Sequence, residues 1–454
     1  MKGEQAVTAH RKETLFRTVL IGAALLAYGA VMLAQDQITG GLTRSGPQAI
    51  RVAIPPIRSA SGGEKEERLA RVFYDTLWAD LDFSGNLELA SRSFYPTGIF
   101  AVPADIKVED WTAPGVTAQY VAYGSVLLNN GRFSATGRLR DLAAEQDSVA
   151  SVFPGFNDQD ESARLAAHNF ADRILEQLGF GRGIARTQIA FVSDRGGNKE
   201  IYVMDYDGTN PHRVTATNNI AITPSWSPKD DRIAYTAWRP GPQIEIVSAT
   251  GGRHPFAQPA GVTNNVPSWS PDGKSILYSS RRDGDYEIYL ADEDGRNARR
   301  LTHSPDIDTS PVFNPATGRH IAFISRRSGT PQLYTMNSDG TDVQRITDEG
   351  GDAENPAYSP DGTLIAFAWK KSGNPTFEIF LYEIATQKFF QLTSNAGDNE
   401  RPAWAPDGKH LVFQSNRTGS TQIYSMTVDG RKLLQLTNSR GINEGPTWSG
   451  YATP

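Results

Sequence analysis

The stretch PSWSPDGKSILYSSRRDGDYEIYLADEDG at Pro267–Gly295 returns, lightly edited, as PAWAPDGKHLVFQSNRTGSTQIYSMTVDG at Pro402–Gly430. Its Pro-x-aromatic element recurs at Pro224, Pro267, Pro311, Pro356, Pro402 and Pro446, at intervals of 43, 44, 45, 46 and 44 residues. Six matched apolar segments alternate with it, starting at Ile189, Ile233, Ile276, Ile321, Ile365 and Leu411. Each leads into a Gly-bearing turn, a strand such as EIYVM or QIYSM, a second turn and a short strand such as RRLT or LQLT. A sheet of four such short strands cannot cover both of its faces alone, and standing the sheets radially solves this. The repeat therefore predicts a six-bladed β-propeller.

The residue chemistry agrees. Pro opens a strand where no ladder donor is required, the aromatic two places on wedges between neighbouring sheets, and Ser-Pro-Asp-Gly reverses the chain tightly. The array begins with an Ile-Ala-Phe strand yet finishes with a Pro-x-Trp strand at Pro446–Trp448. This offset predicts ring closure by strand exchange, with the C-terminal strand completing the first blade.

Residues 48–183 read as a mixed α/β domain and 184–454 as the propeller. Leu69, Val72, Phe73, Leu77 and Leu81 recur at helical spacing and predict a helix over 64–81. Asn129-Asn130-Gly131 between two apolar runs predicts a β-hairpin. A second amphipathic helix is expected from Asp160 to Gly179, with Ala163, Ala166, Ala167, Phe170, Ile174 and Leu178 on one face. His168, the only histidine of this domain, reads as a surface or packing residue on that helix.

At the N-terminus, Lys2, Arg11, Lys12 and Arg17 precede an apolar run from Val19 to Ala34 that is short for a bilayer span. The expectation is a signal peptide over 1–34, with an uncleaved anchor as the rival, followed by a flexible segment over 35–47. The sequence has no Cys, so disulfides, Cys-held metals, a thiol nucleophile and Cys-linked lipid anchors are all excluded. Its 45 basic and 51 acidic residues are spread along the chain without a basic stripe, which argues against nucleic acid as a partner. A monomeric export to the periplasm is expected.

Alternating strands send two classes of loop to opposite faces of the ring. One face carries uniform Ser-Pro-Asp-Gly and Asp-Gly turns; acid pairs there, such as Asp205/Asp207 and Asp292/Asp294, fit ordinary hairpin chemistry better than a cation site. The other face carries the unlike inter-blade loops 217–223, 260–266, 304–310, 349–355, 395–401 and 439–445, together with the hairpins holding Arg195, Arg282, Arg327 and Arg417. A rigid scaffold with one varied face predicts recognition on that face. Neither a Gly-x-Ser-x-Gly elbow nor a His-Glu-x-x-His motif occurs, and the histidines are too scattered to suggest a shared metal. No catalytic residue, cofactor or metal is expected; the rival reading is a lyase-like propeller enzyme on acidic polysaccharide.

IAFVSDRGGNKEIYVMDYDGTN, the serial P-x-W-S-P-D-G units, the export signal and the segment WTAPGVTAQYVAYGSVL together resemble the TolB family of the Tol-Pal envelope system, over about residues 50–450. The resemblance implies a non-enzymatic adaptor that binds the peptidoglycan-associated lipoprotein Pal over the channel mouth and contacts TolA through its mature N-terminus. It further implies a part in outer-membrane constriction at division. The implied Pal-facing positions are Thr263 and Thr309, joined by loop position alone by Asn264, Asn265, Asp308, Glu354, Asn355, Glu400 and Arg401. Gln35–Gly46, QDQITGGLTRSG, is Gly-rich and departs from the family's strand-forming N-terminal peptide.

Overall fold

Two apolar helical stripes and a run of alternating strands build the first domain. The computed structural model describes residues 50–155 and 157–451, so the expected signal peptide and the segment 35–47 lie outside the described residues. The elements are β1 (Ile50–Ala53), β2 (Arg58–Ser59), α1 (Glu64–Phe83), β3 (Leu87–Leu89), α2 (Val108–Thr112), β4 (Tyr120–Asn129), β5 (Arg132–Asp141), β6 (Gln146–Pro154) and α3 (Asp160–Gln177). The sheet runs β3-β1-β4-β5-β6, with β2 added beside β4. The hairpin stands as expected: Asn130 at φ 50° and Gly131 at φ 72° give the left-handed pair that a tight primed turn requires. Leu69, Phe73, Leu77 and Leu81 of α1 meet Phe170 and Ile174 of α3, all fully buried. Helix α1 runs two residues beyond the expected end, because Phe83 buries itself against the propeller rather than against its own domain.

The propeller has six four-stranded antiparallel sheets. In the first blade Asn443–Trp448 pairs with Gln188–Ser193, in the register Asn443↔Ser193 and Trp448↔Ile189, so the chain ends do exchange a strand. Recurring Trp residues tie neighbouring blades together, with Trp269 donating to the Ser225 carbonyl at 3.1 Å and Trp404 to the Ala357 carbonyl at 3.0 Å, while Trp448 donates to the Thr187 hydroxyl at 2.8 Å within the closing blade. The threonine closing each Leu-Thr strand is a second fixed part. Thr302 accepts from the Ile288 amide at 2.9 Å and donates to the buried Glu287 carboxylate at 2.6 Å, and Thr215 and Thr393 repeat this pairing on Glu200 and Glu378. These bonds keep buried acids satisfied, without which each would be costly to bury.

The α/β domain packs on the uniform face. Lys432 pairs with Asp82 at 2.7 Å, Lys409 donates to Asn86 at 2.6 Å, His410 Nε2 bonds the Phe83 carbonyl at 2.9 Å, and Tyr206 donates to Asp80. Each propeller partner lies in or beside a turn of the Pro-Asp-Gly or Asp-Gly class. Among the described residues, no helix is long and apolar enough to cross a membrane.

Candidate partner-docking site

Each innermost strand carries the same defect. Residues 222 and 225 pair with 236 and 234, so two residues on the inner strand oppose one on its neighbour, and the same register jump recurs in all six blades. Such a bulge breaks the ladder and turns the strand. The residue before each Pro takes a left-handed conformation: Thr223, Val266, Ser310, Asn355 and Arg401 lie at φ 51° to 54°, and Gly445 at φ 57°. The prolines do not open these strands, as the sequence suggested; they sit inside them, where the bulge has already removed the need for a donor.

Just above this strained tier stands one residue per blade at the equivalent register: Ile222, Asn265, Thr309, Glu354, Glu400 and Glu444. Geometrically equivalent positions thus carry an apolar group, two neutral polar groups and three adjacent carboxylates. Thr309 accepts from the Ser279 hydroxyl at 3.2 Å, Gln414 donates to Glu400 at 3.0 Å, and Lys199 pairs with Glu444 at 2.6 Å. Burial pushes the Glu354 carboxyl up, and the neighbouring Glu400 adds to this while Arg401 opposes it. Burial likewise raises Glu400, with Gln414 and Arg401 opposing and Asp398 and Glu444 assisting. A cavity of about 360 Å³ adjoins the tier, walled by residues that include Pro224, Pro311, Trp226, Tyr358 and Trp404.

The expected site residues fall into three groups. Asn265, Thr309, Glu354 and Glu400 share the ring position, and Asn355 and Arg401 are left-handed residues directly beneath it. Thr263 stands apart, one residue before its strand, with its carbonyl accepting from the Arg281 amide at 3.0 Å. Asn264 and Asp308 present no surface at all: both are 0% exposed. Asn264 donates to Gln258 at 3.0 Å and Asp308 pairs with Arg327 at 2.7 Å, so these two brace the blades from inside.

Three of the four varied-face arginines share that bracing role. Arg195, Arg327 and Arg417 each turn Nε onto the serine ending the adjacent strand and Nη2 onto Asn443, Asp308 or Asn399. Each guanidinium also lies over an aromatic ring of its own blade. Ile222 and Glu444 are the ring members that sequence reading missed, as is Lys199, the ion partner of Glu444. The signal was present, since Glu444 precedes Gly445-Pro446 as Glu400 precedes Arg401-Pro402. On the opposite face, Asp207 accepts from the Thr209 amide and hydroxyl and Asp205 from Asn210, as turn chemistry demands. Among the described residues, no group of three or more His, Asp or Glu is placed to hold a metal ion.

The family model described as the TolB beta propeller domain matches residues 175–356 and 350–452. The chain is 36% identical over 304 residues to the Tol-Pal system protein TolB of Bordetella parapertussis, covering 65% of either chain. It is 33% identical over 292 residues to the Tol-Pal system protein TolB of Desulfosudis oleivorans, covering 63% of this chain and 65% of that one. The matched stretch thus spans about 65% of the length of these curated relatives. In three dimensions it is similar to the crystal structure of TolB from Acinetobacter baumannii, with a TM-score of 0.74 and 27% identity over 89% of this chain and 97% of that one.

Proposed function

This chain belongs to the TolB family, and from that premise we propose that it is a non-enzymatic adaptor of a Tol-Pal envelope system, docking a Pal-type lipoprotein over the mouth of its propeller channel. It works in the periplasm, reaches a TolA-type inner-membrane protein through the segment ahead of the α/β domain, and serves outer-membrane integrity and constriction at division. The observation that carries this reading is the unlike chemistry of six equivalent ring positions on the face turned away from the α/β domain. A ring that merely closed the fold would be free to repeat one residue, as the Leu-Thr threonines do. Recognition needs a fixed frame with changing side chains, and rigid bulged strands offer that frame.

The rival reading, an enzyme on acidic polysaccharide, finds no support in this geometry. Glu354, Glu400 and Glu444 crowd one side of the mouth, where a polyanionic substrate would meet like charge.

Capture of a purified Pal-type periplasmic domain tests the proposal. Replacing both Thr309, on the ring, and Thr263, in the loop beside it, by Arg adds two bulky cations on the docking face and should weaken capture by roughly 100-fold, as expected where a ring contact is disrupted. Undiminished capture by a folded double variant would overturn the site.

A further inference from the structure

We propose that His168 is the latch of the seam between the α/β domain and the propeller: as an imidazolium held between Asp80 and Asp207 it keeps the domains closed, and loss of its proton opens them. His168 lies on α3, Asp80 on α1, and Asp207 in the propeller turn that follows Glu200–Asp205. Nδ1 is 2.8 Å from Asp80 Oδ2 and Nε2 is 3.7 Å from Asp207 Oδ2. His168 is 4% exposed and Asp80 5%, so neither charge is solvated in the closed seam.

The groups around the ring leave it one stable state. Asp80 faces it from α1, Asp172 from its own helix, and Asp205, Tyr206 and Asp207 from the propeller. The cation from the linker is Arg186, which lies 3.5 Å from Asp172 rather than against Asp80 or Asp207. A neutral imidazole would leave Asp80 and Asp207 buried or half-buried without a positive partner, and unpaired buried charge is strongly unfavourable. Nε2 has no hydrogen-bond partner, so its hold on Asp207 is electrostatic and depends on the ring being charged. Burial pushes the Asp80 carboxyl up, and the His168 ring, together with the Tyr206 hydroxyl donated to the second carboxylate oxygen, opposes that and favours carboxylate beside a charged ring.

Electrostatics point the same way. Burial by itself would strip the imidazolium of its proton, but Asp80, then Asp207 and Asp205, outweigh burial and push His168 up to about 9. Beside the latch a cavity of about 20 Å³, lined by Asp80, Asp172, Tyr206, Asp407 and His410, is large enough for one water. Once the ring is neutral, water entering there solvates the acids and favours the open seam.

The test uses the full chain from residue 35 onward. Imidazole chemical shifts of His168, assigned by comparison with His168→Gln, are followed from pH 6 to 10. Trypsin cleavage at Arg182 and Arg186, in the linker between the domains, is followed alongside and normalised to a peptide substrate. His168 should remain charged through pH 8 in the wild type, and linker cleavage should rise about ten-fold as it loses its proton. Asp207→Asn keeps the oxygen that serves Thr209 and should move both transitions down together by about one pH unit. His168→Gln should be cut rapidly at every pH. A neutral His168 at pH 7, wild-type cleavage rates in His168→Gln, or unmoved transitions in Asp207→Asn would each overturn the latch.

Discussion

His168 Nδ1 and Asp80 Oδ2 lie 2.8 Å apart in the buried seam where two helices of one domain meet a turn of the other. The sign of its effect on stability follows from the direction of its shift. A histidine raised to about 9 stabilises the folded chain fully below its unfolded value near 6.5, and that contribution fades as pH rises through 9. Calorimetry of the wild type should show the melting temperature falling between pH 7 and 9.5. His168→Gln should melt lower at pH 7 and show a flatter profile across that window.

Closure by the last strand makes a separate forecast. Trp448 is 6% exposed and donates to Thr187, on the chain that leads into the first blade. Trp448→Ala should cost about 3–5 kcal/mol, the usual range for emptying a core aromatic site. Deleting 446–454 should lower the melting temperature of the whole propeller, because the first blade then lacks its inner strand. A truncated chain that melts with the wild type would remove strand exchange as a source of stability.

The bulged ring is strained at five residues and relaxed at one. Holding a β-branched residue such as Val266 in the left-handed region costs roughly 1–2 kcal/mol, whereas Gly445 occupies the same conformation freely. Val266→Gly should therefore be neutral or mildly stabilising in chemical denaturation, unlike Val→Gly in a regular strand. A Cβ at Gly445 would meet nothing closer than 3.8 Å, so Gly445→Val should lose about 1–2 kcal/mol through backbone strain more than through collision.

How far the sequence could be read follows from what leaves a periodic trace. The blade count, the strand exchange and the hairpin at Asn130-Gly131 were all legible, because repeated spacing and turn residues encode backbone geometry directly. Burial at ring register was not legible. Asn264 and Asn265 are adjacent, yet alternation sends one inward to Gln258 and leaves the other at the mouth, and a loop reading could not separate them. The seam was hidden for another reason. His168 lies beside the apolar stripe of α3, and its partners Asp80 and Asp207 are 88 and 39 residues away, so no local pattern joins them.

Hydrogen–deuterium exchange with and without a purified Pal-type domain tests the central claim most directly. Docking on the varied face should slow exchange in the loops 217–223, 260–266, 304–310, 349–355, 395–401 and 439–445, and leave the Ser-Pro-Asp-Gly turns at 270–273 and 359–362 unchanged. Protection confined to those turns or to the α/β domain, with the ring loops exchanging as before, would contradict it.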